Sequence, residues 1–215
     1  MTRVAFLHTG AVVIPVTAAL ATRYLPGVEV LNLLDDRIVA DLAAGGAAAE
    51  SIPGRLSHLA ADAKEAGADV VMLTCSSISG FAGEVSETAG IPVLRIDEAM
   101  ADRAVATGSR IVVIATLSTT LAPTVRLIRE RAELAGAEPA LTEILVKGAF
   151  DAVVEGDRDR HDALVSDAIA AAATDSDVIV LAQASMAGAA ERVSVHVPVL
   201  TSPELGVARL ATHLS

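Results

Sequence analysis

The sequence predicts an α/β protein built from two pseudo-twofold-related lobes, each a short parallel sheet flanked by helices, with a ligand cleft between them. The first observation is an internal repeat. Residues 68–80 (ADVVMLTCSSISG) match residues 176–188 (SDVIVLAQASMAG), with an acid, four apolar residues, Ser and Gly in register. Two further segments repeat at nearly the same spacing: residues 3–9 with 110–116, and 92–94 with 198–200. The second observation is a near-regular alternation of solidly apolar strands with helical patterns, which is typical of parallel sheets covered on both faces.

The hydrophobic pattern predicts the elements in order. The strands are residues 3–9, 28–33, 69–74, 93–96, 110–115, 140–146, 177–182 and 197–201. The helices are residues 14–24, 53–66, 77–89, 97–107, 120–135, 158–173, 187–193 and 203–214. The segment 40–50, rich in Ala and Gly, is predicted to be a mobile loop or frayed helix, and the charged run 155–160 a solvated helix start. We place the lobes at residues 1–107 and 108–215 and allow the C-terminal helix of the first lobe to cross over.

Composition restricts the classes of partner. A formal net charge of -11 and an aromatic content of 2% argue against nucleic acid and anionic membranes. The single cysteine excludes an internal disulfide and is typical of the reducing cytoplasm. We interpret the apolar N-terminal run as a first core strand and not as a targeting signal, because residues 3–9 recur at 110–116 inside the chain. The histidines show no metal-ligand spacing, and no Gly-rich fingerprint indicates a nucleotide cofactor, so neither a metal nor a cofactor is predicted.

The segment Thr74-Cys75-Ser76-Ser77 carries the strongest chemical signal. It follows a buried strand and is predicted to open a helix, so the Cys75 thiol would lie near backbone N–H groups that stabilise a thiolate. Right-handed crossovers place all strand-to-helix turns of one lobe at the same sheet edge, where ligands of open α/β sheets bind. The alternative is an inert cysteine, because cysteine is among the most frequently buried residue types.

These motifs resemble the aspartate/glutamate/hydantoin racemase superfamily over essentially the whole chain. Residues 73–77 are similar to its first catalytic-cysteine motif, and residues 181–187 are similar to the second, in which a cysteine would stand at Gln183. Residues 115–120 resemble the family's turn that holds a substrate carboxylate, and His8-Thr9-Gly10 is its counterpart in the first lobe. The resemblance, with the hydroxyl groups beside Cys75, predicts these substrate-binding residues: Thr9, Gly10, Ser76, Ser77, Thr116, Ser118, Thr119, Gln183, Ala184 and Ser185.

The sequence departs from the two-thiol members at Gln183. An amide has no dissociable proton and can only donate and accept hydrogen bonds, so a two-thiol racemase is not encoded. The resemblance then implies a one-thiol enzyme in which Cys75 is the catalytic acid, base or nucleophile. Such an enzyme would protonate an enediolate from one face, as in malonate decarboxylation, or add to an alkene diacid.

Two functions of different classes remain open. The first is a cofactor-independent isomerase or decarboxylase that acts on a small carboxylate, such as an amino acid, hydantoin, malonate or unsaturated diacid. The second is a non-catalytic carboxylate-binding protein derived from a racemase. The composition leaves assembly into a homo-oligomer open.

Overall fold

A computed structural model describes residues 1–214 and contains two four-stranded parallel sheets. The first sheet has the strand order β2-β1-β3-β4, and the second has the corresponding order β6-β5-β7-β8. The strands are β1 (Arg3–His8), β2 (Glu29–Leu34), β3 (Val70–Leu73), β4 (Val93–Arg95), β5 (Arg110–Ala115), β6 (Ala140–Leu145), β7 (Val178–Leu181) and β8 (Val199–Thr201). The predicted α/β class, with two short parallel sheets flanked by helices, is confirmed.

The helices alternate with these strands along the chain. They are α1 (Ile14–Tyr24), α2 (Ile38–Ala44), α3 (Gly46–Glu50), α4 (Ile52–Glu65), α5 (Ala82–Ala89), α6 (Glu98–Thr107), α7 (Ser118–Leu134), α8 (Ala149–Val154), α9 (Arg158–Ala172), α10 (Ala187–Glu191) and α11 (Ser202–His213). Short 3-10 turns occur at Ala11–Val13, Ser79–Phe81 and Ala184–Met186. No helix among residues 1–214 is both long and apolar enough to cross a bilayer.

The first sheet is buried on both faces because its two central strands consist of apolar residues on both sides. Leu7 and Leu73 face one apolar cluster with α4 and α5. Phe6 and Met72 face the other cluster, which α1 and α11 complete. Neighbouring residues of a strand point to opposite faces of the sheet, so they pack into opposite clusters. Because both faces are buried, these central strands are continuous apolar runs in the sequence.

The second sheet is built in the same way. Ile114 and Leu181 are fully buried in a cluster to which α8, α9 and α10 contribute. Val113 and Val180 are also fully buried, and α6 and α7 pack against this sheet.

The chain divides into two compact units, and this division differs from the expected boundary at residue 107. The first unit contains Met1–Asp97 and the chain from Pro203 onward, and the second contains Glu98–Ser202. Helix α6 thus belongs to the second unit, where it contacts α7 and β7. Helix α11 belongs to the first unit, where Val207 and Leu210 are fully buried against the first sheet.

Several predicted helix boundaries differ from the structure. The helix expected from residue 77 begins at Ala82, because a tight turn and a 3-10 segment come first. The segment 40–50 forms the two short helices α2 and α3, which Gly45 separates with a φ of 70°, a conformation that favours glycine. Helix α8 was not predicted, since six residues carry too little periodicity to be recognised.

Candidate functional site

Cys75 lies two residues after the end of β3, at the carboxyl edge of the first sheet. Its side chain is half-buried and contacts the apolar cluster under α4 and α5. The Cys75 carbonyl oxygen accepts the N–H groups of Ile78 and Ser79, both at 3.1 Å. These bonds close a tight turn over residues 75–79, which we call the Cys75 turn. Ser76 and Ser77, which follow Cys75 in this turn, are only 5% and 8% exposed.

His8 and Thr74 hold the start of this turn against the end of β1. The Thr74 hydroxyl lies 3.0 Å from the Leu7 carbonyl oxygen and 2.8 Å from Nδ1 of His8. His8 Nε2 donates to the side-chain oxygen Oδ1 of Asn32 at 2.9 Å. Burial lowers the pKa of fully buried His8 below its usual value, and the Asn32 hydrogen bond opposes this shift only in part. Neutral His8 thus carries its proton on Nε2, and its Nδ1 accepts the Thr74 hydroxyl.

Asp97 supports the Cys75 turn from the neighbouring strand. Its carboxylate is fully buried just beyond β4, and Oδ2 accepts the Ser79 hydroxyl at 2.8 Å. The Ser76 side chain also hydrogen-bonds to this carboxylate. Arg95 donates to the Ser79 hydroxyl at 3.3 Å, and its Nε lies 3.6 Å from Oδ1 of Asp97. We call these four residues the Asp97 network.

The other predicted residues of the first unit lie at the end of β1. Thr9 is half-buried and follows His8 directly. Gly10 is half-buried with an extended backbone, and its carbonyl oxygen accepts the N–H of Val13 at 3.2 Å. Because β1 and β3 are adjacent and parallel, their ends bring Thr9 and Cys75 to the same sheet edge.

At the corresponding edge of the second sheet, Gln183 bonds to Thr116. The Gln183 side-chain oxygen accepts the Thr116 N–H at 2.6 Å and the Thr116 hydroxyl at 2.9 Å. The N–H can only donate, so the oxygen end of the amide must face Thr116. Both donors of Thr116, a residue predicted to hold a carboxylate, are therefore occupied by a neutral amide oxygen.

The remaining predicted residues of the second unit surround this contact. Ser118 is exposed at the start of α7, and the Thr119 hydroxyl is buried without a hydrogen-bond partner in the described chain. Ala184 and Ser185 are half-buried in the 3-10 turn that follows Gln183. Arg158 donates to the Ser185 carbonyl oxygen at 2.7 Å.

The sequence reasoning missed two polar clusters. The Asp97 network was missed because Asp97 was interpreted only as the first residue of a helix, although an acid directly after a strand at this edge is itself a signal. In the second unit, fully buried His161 contacts Asp162 at 2.7 Å, and Arg192 lies 3.4 Å from Asp162. Within residues 1–214, no group of three or more His, Cys, Asp or Glu side chains is placed to hold a metal ion.

The parallel α/β fold, with Cys75 and Gln183 at corresponding strand ends, is the fold of the Asp/Glu/Hydantoin racemase family. The chain belongs to the Asp/Glu/Hydantoin racemase family, whose model matches residues 9–210. No curated protein matches the sequence significantly.

Solved structures show the same fold at low sequence identity. Allantoin racemase from Klebsiella pneumoniae is 21% identical with a TM-score of 0.68, and the match covers 100% of this chain and 87% of that one. Glutamate racemase from Aquifex pyrophilus is 17% identical with a TM-score of 0.72, covering 100% and 84%. Arylmalonate decarboxylase is 18% identical with a TM-score of 0.59, covering 97% and 92%.

Proposed function

We propose that the protein is a cofactor-independent enzyme that acts on a small carboxylate, with Cys75 as its sole thiol acid, base or nucleophile. The observation that carries this proposal is the difference between corresponding strand ends: β3 is followed by Cys75, whereas β7 leads to Gln183, whose oxygen is held by Thr116. Family membership supports enzymatic activity, and the missing second thiol favours a one-sided isomerase or decarboxylase over a two-base racemase.

The decarboxylation version of this chemistry balances with one thiol. A carbon–carbon bond of a disubstituted malonate breaks, CO2 leaves, and the electron pair remains on an enediolate. The Cys75 S–H then gives its proton to the α-carbon, and the thiolate regains a proton from water. Arylmalonate decarboxylase, whose fold this chain shares, is named for such a substrate class.

Two other substrate types are compatible with a single thiol. An amino acid or hydantoin could lose and regain its α-proton on the face of Cys75, which exchanges the proton without inverting the carbon. An unsaturated diacid could instead accept the Cys75 thiolate at its double bond, rotate about the resulting single bond, and expel the thiolate again.

Binding of the substrate carboxylate is assigned in this proposal to polar groups near the two strand ends. In the first unit these are Thr9, Gly10, Ser76 and Ser77, and in the second Thr116, Ser118, Thr119, Ala184 and Ser185. Because Gln183 already accepts both Thr116 donors, a carboxylate at Thr116 must displace the Gln183 oxygen, after which the amide NH2 can donate to the ligand.

A substrate screen with a matched variant tests the proposal. Wild-type protein and the Cys75→Ser variant are incubated with panels of malonates, hydantoins and unsaturated diacids, and product is followed by NMR. We expect turnover by the wild type, and a loss of at least about 1000-fold in Cys75→Ser with a similar melting temperature. Turnover that survives the substitution in folded protein contradicts a catalytic Cys75.

The second candidate function is a non-catalytic carboxylate-binding protein. The Gln183–Thr116 contact favours this function. In the second half of the repeat the thiol is replaced by an amide, and its oxygen accepts both Thr116 donors. Calorimetric binding of a panel carboxylate, with no turnover and no effect of Cys75→Ser on affinity, would support this function over the enzyme.

A further inference from the structure

Among residues 1–214, the Asp97 network occurs only in the unit that carries the thiol. In the first sheet Leu73 pairs with Arg95, and at the corresponding position of the second sheet Leu181 pairs with Thr201. Two residues further along, Asp97 therefore corresponds to Pro203. The sequence repeat places Ala184 opposite Ser76 and Ala187 opposite Ser79. All four polar members of the network are thus replaced, and the acid, the guanidinium and both serine hydroxyls are lost.

Burial of charged groups in this network carries a desolvation cost. A buried carboxylate loses its hydration, and an ion pair repays that loss only when its geometry is very good. Burial raises the pKa of Asp97 above its usual value, while the Arg95 charge and the Ser79 and Ser76 hydrogen bonds oppose that shift. The 3.6 Å separation of Arg95 Nε from Asp97 Oδ1 is longer than a hydrogen bond. The second unit forms the same type of sheet without this arrangement, so the fold itself does not require it.

A short path connects Asp97 to the reactive residue. Asp97 accepts the hydroxyl of Ser79 at 2.8 Å, and the backbone N–H of Ser79 donates to the Cys75 carbonyl at 3.1 Å. The Ser79 hydroxyl also lies 3.2 Å from the Ser76 carbonyl, inside the same turn. Ser79 therefore ties the backbone that carries the thiol to a carboxylate on the neighbouring strand.

We propose that Asp97, Arg95, Ser76 and Ser79 are positioning residues that fix the Cys75 turn and thereby place the Cys75 thiol for reaction. This inference rests on the proposed function, in which Cys75 is the reacting group. In this role Asp97, Arg95 and Ser79 act through the Cys75 turn and not on the substrate, whereas Ser76 also belongs to the proposed carboxylate-binding groups. The network restrains the backbone that presents the thiol, and a displacement of even about 1 Å at a reacting group can cost a large factor in rate.

The first test uses the reactivity of the thiol and needs no substrate. Cys75 is the single cysteine of the chain, so the rate of alkylation by iodoacetamide reports on it alone. The variants are Ser79→Ala, which installs the residue of the second copy, and Asp97→Asn. We expect both to react at least about threefold faster than the wild type, because a loosened turn exposes the thiol more often.

Ser176→Ala is the matched control. Ser176 is a 3% exposed serine whose hydroxyl donates to Ala172, and its counterpart in the first copy is Ala68. Ser176 lies just before β7, at the opposite end of the strand from the carboxyl edge. The alkylation rate of Cys75 in Ser176→Ala should therefore equal that in the wild type. In concentrated urea all variants should react equally. Alkylation of folded Ser79→Ala and Asp97→Asn at or below the wild-type rate would overturn the proposal.

The second test uses turnover of the carboxylate that the wild type converts fastest in the screen. Both network variants should lower kcat at least about tenfold with KM nearly unchanged, because the thiol is misplaced while the substrate-binding groups remain. A lower melting temperature with wild-type kcat and wild-type alkylation would show a purely structural network. If the wild type converts no substrate, the proposed function fails, and the alkylation rates still decide whether the network positions Cys75.

Discussion

The side-chain oxygen of Gln183 accepts two hydrogen bonds from Thr116, one from its N–H at 2.6 Å and one from its hydroxyl at 2.9 Å. Gln183 stands where the sequence repeat places the counterpart of Cys75. Gln183, which replaces the second thiol, therefore accepts both hydrogen-bond donors of Thr116 with its side-chain oxygen at the edge of the second sheet. Its amide NH2 remains for other contacts. This arrangement makes Gln183 a hydrogen-bonding residue with no capacity for proton transfer.

Substitutions at Gln183 should separate hydrogen bonding from charge. Gln183→Leu leaves the N–H of 7% exposed Thr116 without its acceptor, and the free energy of unfolding should fall by about 1–3 kcal/mol. Gln183→Glu keeps an acceptor for both donors, so its stability in urea unfolding should match the wild type. The Glu variant should bind an anionic carboxylate more weakly, because two like charges would compete for the same donors. Equal stability of all three proteins would show that the contact contributes nothing to folding.

The burial of His8 predicts a pH dependence of stability. Its pKa is lowered in the folded protein from the usual value of about 6.5 because burial disfavours the imidazolium. The unfolded chain then binds more protons than the folded one below that pH, so this contribution to stability is complete above about pH 6.5 and is lost as the pH falls.

Urea unfolding at several pH values between about 5 and 8 measures this effect. Replacing His8 with Gln should flatten the decline in stability on acidification. His58→Gln is the control, because His58 is exposed on α4 and its loss should leave the wild-type slope. An unchanged slope in His8→Gln would refute the assignment.

Close packing between α11 and the first sheet predicts a glycine requirement. A Cβ at Gly206 would overlap the carbonyl oxygen and side chain of Ile96, which belong to the same unit. Gly206→Ala should therefore destabilise the protein by about 1–3 kcal/mol. Gly54 in α4 has open space around its Cβ position, so Gly54→Ala should be neutral or stabilising by up to about 1 kcal/mol. The melting temperature of Gly206→Ala should fall while that of Gly54→Ala stays constant or rises, and an unperturbed Gly206→Ala would contradict the packing.

The strands could be predicted from sequence because central parallel strands are buried on both faces and read as continuous apolar runs, as in Val70–Leu73 and Val178–Leu181. The turn at Cys75 was also predictable, since it follows such a run. The later helix start was not, because it depends on two N–H groups converging on the Cys75 carbonyl. The Asp97–Ser79 and Gln183–Thr116 contacts were equally inaccessible, since each joins side chains from different strands whose register sequence does not specify.

A second donor should be restorable at the position of Gln183. Gln183→Cys replaces a non-acidic amide with a thiol, and the proposal predicts that racemisation of a substrate with an α-proton appears in this variant only. Chiral chromatography of the product measures it, with Gln183→Ser as the control that has a similar volume but no thiol. Racemase activity in the serine variant, or in the wild type, would contradict the role assigned to the thiols.

In the proposed mechanism, protons reach the substrate from the side of Cys75 alone. Turnover of a prochiral disubstituted malonate, or of one enantiomer of an α-proton substrate, in deuterated water tests this directly. We expect a product that carries deuterium at the α-carbon and is a single enantiomer, with no incorporation by Cys75→Ser. A racemic product formed by the wild type as fast as deuterium enters would rule out one-sided transfer, because it would require a second proton donor on the opposite face.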